Sequence, residues 1–267
     1  MLRLLLILLV VLSTGLTPPS AAAAANSATE PRYPDLKTLP PRDLRFDTVT
    51  IDGAATPVLR FANSVWNAGQ GPLHLVAKTD RALQKTQVFQ RIYANTSATG
   101  RYIERHVGDF VFHAGHNHFH FENFAEYQLW KAADWDGWTT SRTAAIEATQ
   151  RKSSKTTFCI MDTDHTAPGV AGSPATAAYT LCSRTVQGLS VGWGDTYGAN
   201  LADQWITLPS PVLPDGSYVL RSVADPLNQL YESANQLDTT RESRQANENI
   251  TRFSVCGGVI AVPATPC

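Results

Sequence analysis

Short runs rich in β-branched and aromatic residues recur along the sequence and restrict what it can fold into. Gly, Pro, Asn or Asp bound them, and these residues end strands and start turns. The runs are residues 45–51, 56–62, 87–94, 109–113, 125–130, 155–161, 203–208, 217–224 and 250–255. Only residues 140–152 have good helix propensity, with Thr140 or Ser141 as the N-cap. The pattern predicts an all-β, single sandwich-like domain with long loops and at most one or two short helices.

The amino-terminal residues have the features of a secretory signal. Arg3 supplies a positive charge, LLLILLVVL is an apolar segment too short to span a bilayer, and AAAAA offers small residues for cleavage. We therefore predict a signal peptide over residues 1–25 and one domain over residues 26–267. No later apolar run is long enough for a membrane helix, so we expect a secreted, extracellular protein without a membrane span.

The charge balance and the cysteines limit which class of partner the protein can bind and in which compartment it works. The chain has 22 Lys and Arg against 23 Asp and Glu, with no basic cluster, which argues against nucleic acid as a partner. Four cysteines in an exported protein favour disulfides, and they allow three pairings. We expect Cys159 with Cys182 and Cys256 with Cys267, because each pair closes a short loop.

Four of the seven histidines fall within residues 113–120. In a strand, His116, His118 and His120 share one face, whereas a helix would turn the middle ring away. Imidazole nitrogens suit copper, zinc, iron or nickel, so the spacing predicts a metal site. His113 would face the opposite side of an unbroken strand, and we expect it to support the ligands from outside. The alternative is a histidine-rich strand that packs on aromatic residues.

Several downstream motifs accompany the histidines. They are Lys155 before Phe158-Cys159, Gln-Gly-Leu-Ser at 187–190, Asp-Thr-Tyr at 195–197 and Gln-Trp-Ile at 204–206. In this order, and together with His-x-His-x-His, they resemble the catalytic domain of the lysyl oxidase family. The resemblance is clear over about residues 109–255 and weaker at residues 34–36 and 61–75. Taken alone, Lys155 and Tyr197 would be ordinary surface and packing residues.

The resemblance implies a cofactor set and a reaction. It assigns Cu(II) to His116, His118 and His120, and lysine tyrosylquinone to Lys155 and Tyr197. It implies that primary amines, such as peptidyl lysine, are oxidatively deaminated to aldehydes, with O₂ consumed and H₂O₂ and ammonia released. A quinone supplies the electrophilic carbonyl and the electron sink that ordinary side chains lack.

Two carboxylates are candidates for the base that this reaction needs. Asp195 lies two residues before Tyr197 and shares its face if the segment is extended. A role as a turn residue is the alternative for Asp195. Glu126 stands where animal members of the family have a histidine, so it is the second candidate.

The resemblance also suggests a Ca²⁺ site, formed by Asp35, Glu232, Asn247 and Asn249. Oxygen ligands suit calcium. However, Ala234 replaces an acidic residue of the family pattern, and Asn-rich turns also occur for backbone reasons. Calcium is therefore an optional cofactor in the predicted set.

Two other functions remain open at this stage. One is a non-catalytic secreted metal-binding β-sandwich module, against which the presence of both Lys155 and Tyr197 argues. The other is a zinc hydrolase that uses the same histidines with Glu122, which continues their face of the strand. The short signal and the lack of extra domains lead us to expect a bacterial member of the family.

Overall fold

The computed structural model describes residues 30–80, 85–114, 117–233 and 247–267. The predicted signal peptide, His116 and Ala234 lie outside the described residues. Residues Pro31–Cys267 group into one compact unit. Strands dominate the described part of the chain, and they form three antiparallel sheets.

The first sheet is built around one long strand, β3 (Ala54–Asn67). Its partners are β1 (Leu36–Thr38), β2 (Arg42–Ile51), β11 (Gly194–Tyr197) and β12 (Trp205–Thr207). The register places Asp195 opposite Val65 and Tyr197 opposite Asn63. The Asp-Thr-Tyr motif is therefore fixed on the largely buried central strand.

The second sheet carries the histidines. Its strand order is β10 (Val186–Leu189), β4 (Leu73–Asp80), β5 (Lys85–Tyr93), β6 (Tyr102–His113) and β7 (His118–Phe121). Strands β6 and β7 form a hairpin in which His113 pairs with His118 and Val111 with His120. At Gly188 a Cβ atom would lie 2.2 Å from the Leu73 carbonyl oxygen, so the Gln-Gly-Leu-Ser motif needs glycine there to pair with β4.

The third sheet follows the order β15 (Val259–Ala261), β14 (Glu248–Cys256), β13 (Gly216–Ala224), β8 (Ala125–Lys131) and β9 (Arg151–Lys152). Side chains from all three sheets meet in one hydrophobic core, which includes Phe61, Phe121 and Phe253. Each buried phenylalanine contributes about 1.5–3 kcal/mol to folding. The predicted all-β, sandwich-like fold is confirmed.

The helices differ in position from the prediction. Helix α1 covers Ala132–Ser141 and helix α2 only Ala144–Glu147, so the predicted helix over residues 140–152 is mostly absent. Trp135 and Trp138 of α1 pack on Trp130 at centroid distances of 5.7 and 5.1 Å, and this burial outweighs helix propensity. Arg142, with φ of 55°, ends α1 two residues into the predicted segment.

The prediction of a strand over residues 155–161 is wrong. The structure describes all of these residues, and they do not form a strand. Phe158 forms only an isolated bridge with Phe121. The Cys159 N–H donates to the Tyr197 hydroxyl (3.0 Å) and the Ile160 N–H to Gln187 Oε1 (3.0 Å). Because side chains satisfy these backbone groups, the segment needs no further strand partner.

Both expected disulfides are confirmed, Cys159–Cys182 and Cys256–Cys267. The first joins the 155–161 segment to the loop before β10, and the second attaches the carboxyl-terminal residues to the end of β14. Neither helix in the described ranges is long and apolar enough to cross a membrane.

Candidate active site

Two of the predicted metal ligands lie together on strand β7. Its first residue is His118, because Asn117 has φ of 56°, a left-handed conformation that asparagine tolerates. The Nε2 atoms of His118 and His120 are 2.9 Å apart, so the two rings share one face as predicted. His116 lies outside the described residues, and its role stays a prediction.

His113 lies on the same side of the sheet as these two rings. The turn between β6 and β7 reverses the chain, so the opposite-face placement expected for an unbroken strand does not apply. The His113 ring stacks on His120 at a centroid distance of 4.7 Å. Its Nε2 is 3.6 Å from Asp203 Oδ2. Among the described residues, the hairpin therefore collects three imidazoles.

Neighbouring groups hold the cluster in place. His120 is fully buried, and its Nδ1 bonds to the Thr157 hydroxyl at 3.0 Å. Gln187 donates to the Phe119 carbonyl at 2.8 Å, which ties β7 to the Gln-Gly-Leu-Ser motif. Burial lowers the His118 pKa, and His113 and Lys155 lower it further. A low pKa favours the neutral imidazole, the form that binds metals.

Lys155 and Tyr197 are neighbours in the structure. Lys155 Nζ lies 5.0 Å from the centroid of the Tyr197 ring and 4.8 Å from that of Phe158. The Lys155 side chain is buried, and Nζ has no hydrogen-bond partner among the residues that the structure describes. A buried amine without a partner is uncommon and is typical of functional sites.

Backbone contacts orient the tyrosine and the lysine separately. The Tyr197 hydroxyl donates to the Cys159 carbonyl (2.9 Å) and accepts from the Cys159 N–H. The Lys155 N–H donates to Ser153 Oγ (3.1 Å), and that hydroxyl donates to the Trp205 carbonyl (2.7 Å). The irregular 155–161 segment is thus anchored at both ends, beside the ring of Tyr197.

Burial shifts the pKa values of Lys155 and Asp195 in opposite directions. It lowers the Lys155 pKa to about 8, although Asp203 and Asp195 oppose the change. At pH 7 about one tenth of such amines are neutral, against about one in 2,500 for an ordinary lysine. Burial also raises the Asp195 pKa well above its usual value, although a backbone bond from Met161 and the charge of Lys155 oppose this.

His118, Asp195 and Tyr197 line a pocket with a volume of about 490 Å³, together with apolar residues such as Met161 and Leu201. The pocket joins groups from distant parts of the sequence. Its polar groups can act on a ligand, and its apolar wall can hold an alkyl chain.

The structure does not bring Glu126 to this pocket. Tyr127, the next residue on β8, packs inward on Phe158, with the ring centroids 6.1 Å apart. Because side chains alternate along a strand, Glu126 points to the opposite face. There it accepts a hydrogen bond from Lys152 Nζ at 2.8 Å and lines a different pocket. Glu122 follows the end of β7 and lines a third pocket, near Asp109. The structure leaves Asp195 as the carboxylate beside Tyr197.

Two residues of the site were missed in the sequence. Thr157 orients His120, and its only signal is its place two residues after Lys155. Asp203 lies close to His113 and acts on Lys155 through its charge. It directly precedes the Gln-Trp-Ile motif and has φ of 62°, which is uncommon for a residue other than glycine.

Two of the residues expected to bind calcium, Glu232 and Asn247, are buried and in contact with each other, whereas Asp35 and Asn249 are partly exposed. Glu232 is fully buried and accepts hydrogen bonds from Asn247 Nδ2 (2.7 Å) and the Leu36 N–H. Burial, followed by Asp225 and Asp35, raises the Glu232 pKa to about 8.

Asn247 and Asn249 differ in what they can offer a cation in this cluster. Asn247 Oδ1 is buried and has no hydrogen-bond partner in the described ranges. The Asn249 amide donates to the Thr38 carbonyl at 3.2 Å. The Asn247 amide nitrogen bonds the Glu232 carboxyl group, while its buried oxygen has no partner among the described residues, and a cation could serve as that partner.

Comparison with known proteins agrees with this geometry. A search of curated proteins found no match. The sequence model of the family described as lysyl oxidase matches residues 74–256, a range that includes the histidine hairpin, Lys155, Asp195 and Tyr197. Because the match covers well over half of the chain, the protein belongs to the lysyl oxidase family, whose activity at family level is that of an oxidoreductase acting on amines.

Proposed function

We propose that this protein is a secreted copper-dependent amine oxidase. It deaminates primary amines, such as peptidyl lysine, to aldehydes and releases H₂O₂ and ammonia, with O₂ as the oxidant. The observation that carries the proposal is the buried Lys155 amine, whose Nζ lies 5.0 Å from the centroid of the Tyr197 ring. Tyr197 in turn lines a pocket together with His118 and Asp195. Burying an amine without a hydrogen bond destabilises a fold, so a non-catalytic module would gain nothing from it.

Copper fits the histidine cluster. Metal–nitrogen bonds are about 2.0–2.1 Å long, and two such bonds at a right angle place their nitrogens about 2.9 Å apart. This is the separation of the His118 and His120 Nε2 atoms. Tetragonal nitrogen sites suit Cu(II). We propose that His118, His120 and His116 hold the ion, while Thr157 fixes the orientation of His120.

The quinone fits the Lys155 and Tyr197 pair. Lysine tyrosylquinone would supply an electrophilic carbonyl for the substrate amine and a sink for two electrons. Lys155 contributes a lowered pKa, which provides neutral amine for bond formation near pH 7. The two hydrogen bonds between Tyr197 and Cys159 hold the ring beside this amine.

Asp195 is the proposed general base. It lines the pocket, and burial raises its pKa well above that of an ordinary aspartate. A carboxylate with a raised pKa is a stronger base and accepts a proton from carbon more readily. Met161 and Leu201 on the pocket wall hold the alkyl chain of the substrate and exclude water.

The localisation and the calcium site complete the proposal. Two disulfides suit an oxidising compartment, and export would depend on the predicted signal at residues 1–25.

We also propose that Asp35, Glu232 and Asn247 bind Ca²⁺, since the ion would compensate the buried Glu232 carboxylate and the orphaned Asn247 oxygen.

Peroxide release tests the activity. The full chain is loaded with Cu(II) in air and given a simple alkylamine. We expect H₂O₂ from the wild type and from Lys152→Arg, a surface control, but none from Lys155→Arg or Tyr197→Phe. A wild type that binds copper and releases no peroxide would instead support the metal-binding module.

A further inference from the structure

Two of the residues that line the active-site pocket carry sulfur. Cys182 and Met161 line it next to His118, and Met161 Sδ lies 3.8 Å from Cys182 Sγ. Both sulfurs of the Cys159–Cys182 disulfide and a ring nitrogen of His118 lie within 4.8 Å of one another. Two cysteine sulfurs and an imidazole nitrogen therefore lie within reach of one small ion, and the Met161 sulfur contacts one of those cysteine sulfurs.

The bond between Cys159 and Cys182 decides what this group can bind. In the disulfide, neither sulfur is a thiolate, so the oxidised protein offers only the Met161 thioether and the His118 imidazole. Reduction would provide two thiolates in the same place. Thiolate and thioether ligands select soft ions, above all Cu(I).

We propose that reduction of the Cys159–Cys182 disulfide creates a second metal site, formed by Cys159, Cys182, Met161 and His118, which binds Cu(I). The site shares His118 with the histidine cluster, so an ion bound there stands directly beside the proposed Cu(II) ligands. O₂ can reoxidise the two thiolates to the disulfide, taking up two electrons and two protons to form H₂O₂, and this removes the thiolate ligands and releases the ion. The inference does not require the quinone or amine oxidation.

The reduction is a thiol–disulfide exchange with a dithiol. Cys182 is partly exposed while Cys159 is buried, so one reductant thiolate attacks Cys182 Sγ and Cys159 leaves as a thiolate. The reductant's second thiolate then attacks the reductant sulfur of the mixed disulfide. This closes the reductant's own disulfide and releases the Cys182 thiolate. Two electrons pass to the protein, and the reductant ends as a disulfide.

Contacts other than the disulfide hold the two cysteines close together. The backbone N–H and carbonyl of Cys159 both bond to the Tyr197 hydroxyl. Beside Cys182, the Ser183 carbonyl accepts from Gln187 Nε2 at 3.1 Å. The sulfurs should therefore remain near His118 and Met161 after the bond is broken.

Metal titration of the full chain tests the site. The background is Cys256→Ser/Cys267→Ser, so that only Cys159 and Cys182 supply thiols. After reduction by a dithiol under nitrogen and removal of the reductant, we add Cd²⁺ and follow the ultraviolet thiolate-to-metal charge-transfer band. Competition with a chromogenic Cu(I) chelator measures Cu(I) affinity. We expect the reduced protein to bind one equivalent of either ion beyond what the oxidised protein binds, with the thiolate-to-metal band present only in the reduced protein.

Variants and a folding control make the result decisive. Adding Cys159→Ser should halve the Cd²⁺ band, and Met161→Leu, which nearly conserves volume, should weaken Cu(I) binding by about tenfold. Undiminished Cu(I) binding in a Cys159→Ser/Cys182→Ser protein, or loss of the near-ultraviolet circular dichroism on reduction, would overturn the proposal. Peroxide release by the oxidised wild type is measured separately, so failure here is distinct from failure of the amine oxidase assignment.

Discussion

Replacing Lys155 with methionine should stabilise the metal-free protein at neutral pH while it abolishes activity. Methionine has a similar length and carries no charge, and the Lys155 side chain is buried. The fall of the Lys155 pKa from 10.5 to about 8 corresponds to about 3 kcal/mol, at about 1.4 kcal/mol per pKa unit. This net shift already includes the opposing attraction of Asp203 and Asp195, so it is the cost of carrying the charged amine in the folded protein.

The stability gained by Lys155→Met should decrease as the pH rises. Between pH 8 and 10.5 the unfolded chain keeps the Lys155 proton while the folded protein has lost it. The unfolded state then binds more protons, so wild-type stability rises with pH in this window and has its full value above pH 10.5. The methionine variant lacks this rise, so its advantage is largest at pH 7 and disappears near pH 10.5.

Urea unfolding of both proteins at pH 7 and pH 10, with a chelator present, measures the effect. Lys152→Met is the matched control, because Lys152 is half exposed and pairs with Glu126, a type of ion pair that contributes about 0–1 kcal/mol. A Lys155→Met protein that is no more stable than the wild type at pH 7 would refute the reasoning. An equal gain at both pH values would refute it as well.

Three further predictions follow from other residues. Asp195→Asn should retain the Lys155–Tyr197 cross-link by peptide mass but lower kcat by about 10²- to 10⁴-fold, since the base is lost. Thr157→Val should weaken copper binding by about 10- to 100-fold in equilibrium dialysis, because it removes the partner of His120 Nδ1. With a chelator present, wild-type stability should fall as pH rises from 4.5 to 8, because folded Glu232 keeps a proton that the unfolded chain releases. Glu232→Gln should make that fall smaller, because Asp195 and Asp225 keep their own raised pKa values, and Ca²⁺ should raise the Tm of the wild type only.

Local patterns in the sequence predicted much of the fold. The period of two placed His118 and His120 on one face, and strand-like runs bounded by turn residues indicated the all-β class. The position of His113 could not be read in this way, because a reversal of the chain between β6 and β7 decides it. The helix was misplaced for a similar reason: Trp135 and Trp138 are held by packing on Trp130, which propensity does not register.

The active site depends on contacts between distant segments. No local pattern connects Lys155 with Tyr197, and only the resemblance to the lysyl oxidase family selected them. Asp203 could not be predicted, because it comes close to His113 and Lys155 only through a loop that folds back onto the hairpin. Glu126 was a candidate from the comparison of motifs, yet the alternation of β8 turns it toward Lys152. The chemistry was therefore more predictable than the residues that support it.

The central claim is that Lys155 and Tyr197 form one cofactor beside a copper site. The most direct test is peptide mass analysis of the full chain after Cu(II) loading in air, with Lys155→Arg and a metal-free sample as controls. The account predicts a cross-linked pair of peptides, joined through Lys155 and Tyr197, in the copper-loaded wild type alone. Separate, unmodified Lys155 and Tyr197 peptides from a sample with copper demonstrably bound would contradict it.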